Sequence, residues 1–122
     1  MGGNARILIV DDDLNIRESL EAILSDEGYT VDVAACGEDA IHKTETVAYN
    51  LALIDIRLPD MEGVELLNRM KDSVPKIRKI IVTGYPSMHN AIAALNRNAD
   101  AYIIKPVDIS ALLDIIRDQL CV

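Results

Sequence analysis

Three adjacent carboxylates, Asp11-Asp12-Asp13, follow directly on the apolar run Ile7-Leu8-Ile9-Val10, an arrangement that repels itself unless something offsets the charge. Other apolar runs also end in reactive groups: Leu51–Ile54 in Asp55, Ile80–Val82 in Thr83, and Tyr102–Ile104 in Lys105. Carboxylates gathered in a concave site raise each other's pKa or recruit a cation. A small hard cation such as Mg2+ prefers all-oxygen ligands. An ammonium and a hydroxyl beside such an ion are suited to holding a phosphoryl group. A carboxylate among them can act as nucleophile and become an acyl phosphate. Taken singly, these residues read as a turn acid, a strand-end hydroxyl and a solvated charge. It is their joint placement at the ends of apolar runs that points to a site.

The elements that must carry them alternate in kind. Apolar runs of buried-strand type occur at Arg6–Val10, Leu51–Ile56, Ile80–Thr83 and Ala101–Ile104. Thr30–Ala34, reading Thr-Val-Asp-Val-Ala, alternates as a strand with one wet face does and is expected at a sheet edge. Helical stripes lie between: Ile16, Leu20, Ile23 and Leu24; Met88, Ala91, Ile92 and Leu95; and Ile109, Leu112, Leu113, Ile116 and Leu120. Glu38–Thr46 and Gly63–Lys71 fit weaker helices. Glu27-Gly28-Tyr29 is expected to end the first helix, Pro59-Asp60 to make a turn, and Ser87 to cap a helix. The order is β-α repeated five times, which requires parallel strands with crossover helices and gives an α/β sandwich with helices on both faces. Ligands of open parallel sheets bind beyond the carboxyl ends of the strands, where the candidate residues lie.

The 122-residue chain is one domain in length, and its interior is aliphatic, with no Trp or Phe. A net charge of −8 argues against direct binding of nucleic acid or of an anionic membrane. Cys36 and Cys121 have no metal-type spacing and read as reduced thiols. No leader pattern or membrane-spanning run is present, so a cytoplasmic location is expected. His42 and His89 lack a second ligand at helical spacing and are expected to be solvated or partly packed. Asp13 is expected to cap a helix rather than to do chemistry.

Four segments, ILIVDDD, LALIDIRLPDMEG, IIVTGYPS and AYIIKP, resemble in order and spacing the receiver domain of two-component response regulators. The resemblance covers essentially the whole chain, from Ile7 to about Leu120, and implies one receiver domain over residues 1–122 with its core over about 5–120. It implies a flavodoxin-like (βα)5 three-layer sandwich whose parallel sheet has the order 2-1-3-4-5. It further implies Asp55 as phosphoacceptor and Asp11 and Asp12 as the acidic pair. Asp12 would touch Mg2+ directly, Asp11 mainly through water, and the Arg57 backbone carbonyl would complete the protein ligands. Thr83 resembles the switch hydroxyl, Lys105 the counter-charge, Tyr102 the aromatic that moves with the threonine, and Lys105-Pro106 the family's cis peptide. Arg57 and Tyr85 would tune hydrolysis of the acyl phosphate. The implied donor is a histidine kinase or histidine phosphotransfer protein. Output would run through the face of the fourth helix, fifth strand and fifth helix, toward an effector domain or a homodimer. The domain would then be a signalling module, an enzyme only toward its own aspartate. Asn98 departs from the family, which usually has glycine there.

Two rivals remain at this level. One is an aspartate-nucleophile hydrolase of the haloacid dehalogenase type, with Asp11 attacking and Asp13 as acid and base, although Asn15 breaks that pattern. The other is a receiver-like binding module that works without phosphorylation.

Overall fold

The computed structural model describes residues 5–70, 77–84, 99–105 and 107–121. The stripe expected at Met88–Leu95, the Ser87 cap, Tyr85, His89, Asn98 and the Lys105-Pro106 peptide lie outside them, wholly or in part.

Strand β1 (Arg6–Val10) explains the uninterrupted apolar run: Ile7 through Val10 are buried on both sides. Leu8 and Val10 join one core with Ala52, Ile54 and Ile81, while Ile7 and Ile9 join a second with Leu51, Leu53, Ile80 and Val82. Alternate residues thus feed opposite faces of one sheet. Strands β2 (Thr30–Ala34), β3 (Leu51–Ile54), β4 (Arg78–Thr83) and β5 (Ala101–Ile104) complete it. All pairings are parallel and the order is β2-β1-β3-β4-β5, with β2 at the edge as its alternation required. The fold is therefore a flavodoxin-like α/β sandwich. The order in which strands are added to the sheet reverses between β1 and β3, which places a crevice at their carboxyl ends.

Helices α1 (Leu14–Asp26) and α4 (Ile109–Leu120) cover one face through Leu20, Leu24, Leu112 and Ile116. Helices α2 (Gly37–Thr46) and α3 (Gly63–Met70) cover the other through Ala40, Leu66, Leu67 and Met70. Asp13 caps α1, its carboxylate accepting the N–H groups of Asn15 and Ile16 at 2.9 and 3.3 Å. At the far end Gly28 takes φ of 100°, and the Tyr29 and Gly28 N–H groups bond back to the carbonyls of Leu24 and Ser25. That Schellman closure needs a left-handed residue, which glycine adopts without strain.

Two strand limits differ from expectation. β3 stops at Ile54, because the chain then bends so that the Asp55 carboxylate accepts the Arg57 N–H while Ile56 accepts from Gly63. β4 begins earlier, at Arg78, because register with Leu51 and Ala52 recruits Arg78 and Lys79 despite their charge. Pairing there overrides residue preference.

Candidate functional site

The crevice between β1 and β3 is a cavity of about 420 Å³ lined by Asp11, Asp12, Asp13, Ile16, Asp55, Arg57, Gly84 and Lys105. Asp11 is buried as the first residue beyond β1, where its N–H still pairs with Ala34 of β2 at 3.1 Å. Its Oδ1 accepts the Asp13 N–H at 2.9 Å, and its carbonyl accepts the Arg17 guanidinium at 2.8 Å. Asp55 is equally placed beyond β3, its N–H donating to Val10 at 2.9 Å, and is 6% exposed. Asp12 points to solvent at the mouth.

Lys105 reaches across from the end of β5. Its Nζ lies 2.8 Å from Asp11 Oδ2 and 3.4 Å from Asp55 Oδ2. Its N–H donates to the Thr83 carbonyl at 2.8 Å, which fixes the lysine's root to the end of β4. Burial disfavours the ammonium, but the two carboxylates outweigh it and hold the Lys105 pKa above the ordinary lysine value. For Asp55, burial and then the nearby Asp11 raise the pKa above the usual aspartate range, opposed by Lys105 and the Arg57 N–H. One ammonium therefore serves two buried carboxylates, with Asp12 a third acid alongside.

Among the described residues, Asp11, Asp12 and Asp55 each offer an oxygen, all within 4.8 Å of one another. This all-carboxylate donor set is the chemistry a hard divalent cation requires. The surplus of negative charge over Lys105 gives the physical reason for recruiting one.

The sequence-derived residues do not all converge here. Asp11, Asp12, Asp55, Arg57 and Lys105 line the cavity, and Asp13 does so while capping α1. Thr83 is wholly buried at the end of β4 and is not among the lining residues. Tyr102 packs against the core beneath α2 and α3, its hydroxyl buried with no hydrogen-bond partner among the described residues. His42 is solvent-exposed, as expected. Two contributors went unread in the sequence. Arg17 binds a backbone carbonyl, which leaves no trace in residue type. Asp60 binds the start of α2, more than twenty residues away along the chain.

Fold and site together define an α/β domain with an acidic crevice at the carboxyl ends of its strands, and comparison with known proteins identifies its family. The chain belongs to the response regulator receiver domain family, whose model matches residues 7–117. It is 39% identical over 91% of its length to the transcriptional regulatory protein ZraR of Klebsiella oxytoca, of which it covers 25%. Among solved structures, a CheY-like receiver domain protein of Methanospirillum hungatei matches with a TM-score of 0.93 and 50% identity, covering 95% of this chain and 93% of that one. The response regulator TrrA of Thermotoga maritima, in complex with Mg2+ and BeF, matches with a TM-score of 0.87 and 32% identity, over 96% and 100% of the two chains. The chain spans between a quarter and half of the length of the curated relatives it matches first. No helix among the described residues is long and apolar enough to cross a membrane.

Proposed function

We propose that Asp55 is the phosphoacceptor of this receiver domain, taking a phosphoryl group from a histidine kinase or histidine phosphotransfer protein. The observation that carries this reading is the Lys105 ammonium held between Asp11 and Asp55 in a cavity open to solvent. An Asp55 oxygen would attack phosphorus in line while the donor's nitrogen leaves with the bond's electron pair. Lys105 would then offset charge on the equatorial oxygens. Asp11, Asp12, Asp55 and the Arg57 backbone carbonyl would hold Mg2+, which when bound supplies Lewis-acid charge stabilisation. Burial of Asp55 limits water at the resulting acyl phosphate, and Arg57, exposed at the rim, is placed to influence its access. Hydrolysis would return the carboxylate, so the domain's only substrate is its own side chain. Thr83 and Tyr102 would report the modification to the face built on β5 and α4, where Ile104 stands 53% exposed. That face would meet an effector domain or a second copy, and a cytoplasmic setting follows from the kinase partnership.

The hydrolase alternative requires Asp13 as acid and base, but the Asp13 carboxylate is engaged by two N–H groups at the start of α1. Incubation with acetyl phosphate and Mg2+ tests the proposal. Wild type and Asp11→Asn should gain one phosphoryl mass, more slowly in the latter, and Asp55→Asn none. Modification of Asp55→Asn equal to wild type would refute the assignment. No modification of wild type would favour the phosphorylation-independent module.

A further inference from the structure

The residue at the N-cap position of α2, Cys36, makes no side-chain capping bond. The first N–H groups of that helix are satisfied instead from another part of the chain. Asp60 Oδ1 accepts the Gly37 N–H at 2.8 Å and Oδ2 accepts the Glu38 N–H at 2.9 Å. These two bonds hold the Asp60 carboxyl below the ordinary aspartate range. Met61 reinforces the join: a Cβ on Gly37 would come within 2.4 Å of its Sδ, so the backbone of α2 sits directly against that side chain. Arg69 of α3 adds an ion pair to Glu38 at 2.8 Å.

The segment tethered in this way is the one that follows the proposed phosphoacceptor. Arg57 bridges to Glu62, the Leu58 N–H donates to the Met61 carbonyl at 3.1 Å, and the Gly63 N–H donates to Ile56 at 2.7 Å. Residues 57–62 therefore form a closed loop, with Arg57 at the cavity and Asp60 at its tip. The Arg57 N–H reaches Asp55 Oδ1 at 3.4 Å, so the loop that Asp60 tethers is joined to the Asp55 carboxylate through the Arg57 main chain.

We propose that Asp60 is a positioning residue for the acidic site: by pinning loop 57–62 to the amino end of α2, it holds the Arg57 main chain in register with Asp55 for cation binding. The inference rests on the reading of Asp55 as phosphoacceptor and of the Arg57 carbonyl as a ligand. Asp60 touches neither the ion nor the phosphoryl group. Its effect is that of an outer support on which the ligand geometry depends.

The discriminating experiment separates helix capping from loop tethering. In Asp60→Ala both functions are lost. In Asp60→Ala/Cys36→Ser a hydroxyl at the N-cap position supplies a local cap to α2, but the link to the loop stays broken. Mg2+ affinity of the unphosphorylated protein is read from the amide shifts of Asp12, Asp55 and Arg57, and fold stability from urea denaturation. Exchange of the Leu58 and Gly63 amides is followed without metal. The proposal expects Mg2+ affinity about tenfold weaker in both variants. It also expects faster amide exchange in both, and a urea midpoint restored in the double variant alone. Asp60→Asn, with one acceptor oxygen left, should fall between. Recovery of wild-type affinity in the double variant, or affinity within about twofold of wild type in Asp60→Ala, would overturn the proposal and leave the phosphoacceptor reading standing. Wild type without Mg2+-dependent shifts at Asp12 and Asp55 would sink that reading and this one with it.

Discussion

Replacing Lys105 by Met removes the ammonium that Asp11 and Asp55 share. At an effective dielectric constant of about 20, contacts of 2.8 and 3.4 Å correspond to attractions of about 6 and about 5 kcal/mol. The carboxylates, with oxygens within 4.8 Å of each other, repel by at least about 3.5 kcal/mol on the same scale, and that repulsion stays when the lysine goes. Much of the lost attraction is returned, because the ammonium, only 17% exposed, no longer has to be desolvated. Breaking a buried pair by removing one partner costs about 3–5 kcal/mol in net terms. That is the expected destabilisation of Lys105→Met in metal-free buffer at pH 7. Saturating Mg2+ should shrink the deficit, because a cation binding the orphaned acids stabilises by RT ln(1 + [L]/Kd), about 2.7 kcal/mol at a hundredfold excess over Kd. Urea denaturation followed by circular dichroism, with EDTA and then with Mg2+, measures both quantities. A metal-free loss below about 1 kcal/mol, or one that Mg2+ leaves unchanged, would refute the charge balance argued for the site.

Other consequences follow from buried groups elsewhere. Lys79 is 5% exposed, and burial depresses its pKa despite the opposing pull of Asp100. The unfolded chain therefore holds that proton to higher pH, and wild-type stability should rise between the depressed folded pKa and 10.5. Lys79→Met should be more stable than wild type by about 1 kcal/mol at pH 7, with the gap closing toward pH 10; a constant gap across urea titrations would contradict this. Tyr102→Phe removes a buried hydroxyl that has no partner among the described residues, so stability should stay level or rise by about 1 kcal/mol. A loss above that size in the urea midpoint would show that the hydroxyl is engaged. Gly63→Ala places a Cβ 2.5 Å from the Asp55 carbonyl oxygen, a backbone atom that cannot step aside. It should cost about 1–3 kcal/mol and slow phosphorylation from acetyl phosphate, and a variant with wild-type rate and stability would be incompatible with that contact.

The residues that disclosed most before the structure were those whose environment is set along one strand. Ile7–Val10 read as buried on both faces because four successive apolar residues fit no half-exposed element, and Thr30–Ala34 read as an edge because Asp32 interrupts the run. Asp11, Asp55 and Lys105 were legible as a group because each follows a strand, and parallel strands bring equivalent ends together. What stayed hidden depends on contacts across the fold. Asp60 reads as a turn residue, yet it caps a helix that begins 23 residues earlier in the chain. Arg17 looks like an exposed helix charge, yet it anchors the Asp11 carbonyl. Lys79 would be placed outside a strand by its charge, yet register with Ala52 draws it in and buries it.

The most direct test of the central claim asks which side chain carries phosphorus. Wild-type protein treated with acetyl phosphate and Mg2+ is reduced with borohydride, which marks the acylated residue, and is then digested and sequenced by mass spectrometry. The mark should fall on Asp55, in the peptide running from the end of α2 into loop 57–62. A mark on Asp11 would contradict the account and turn the site toward the hydrolase reading.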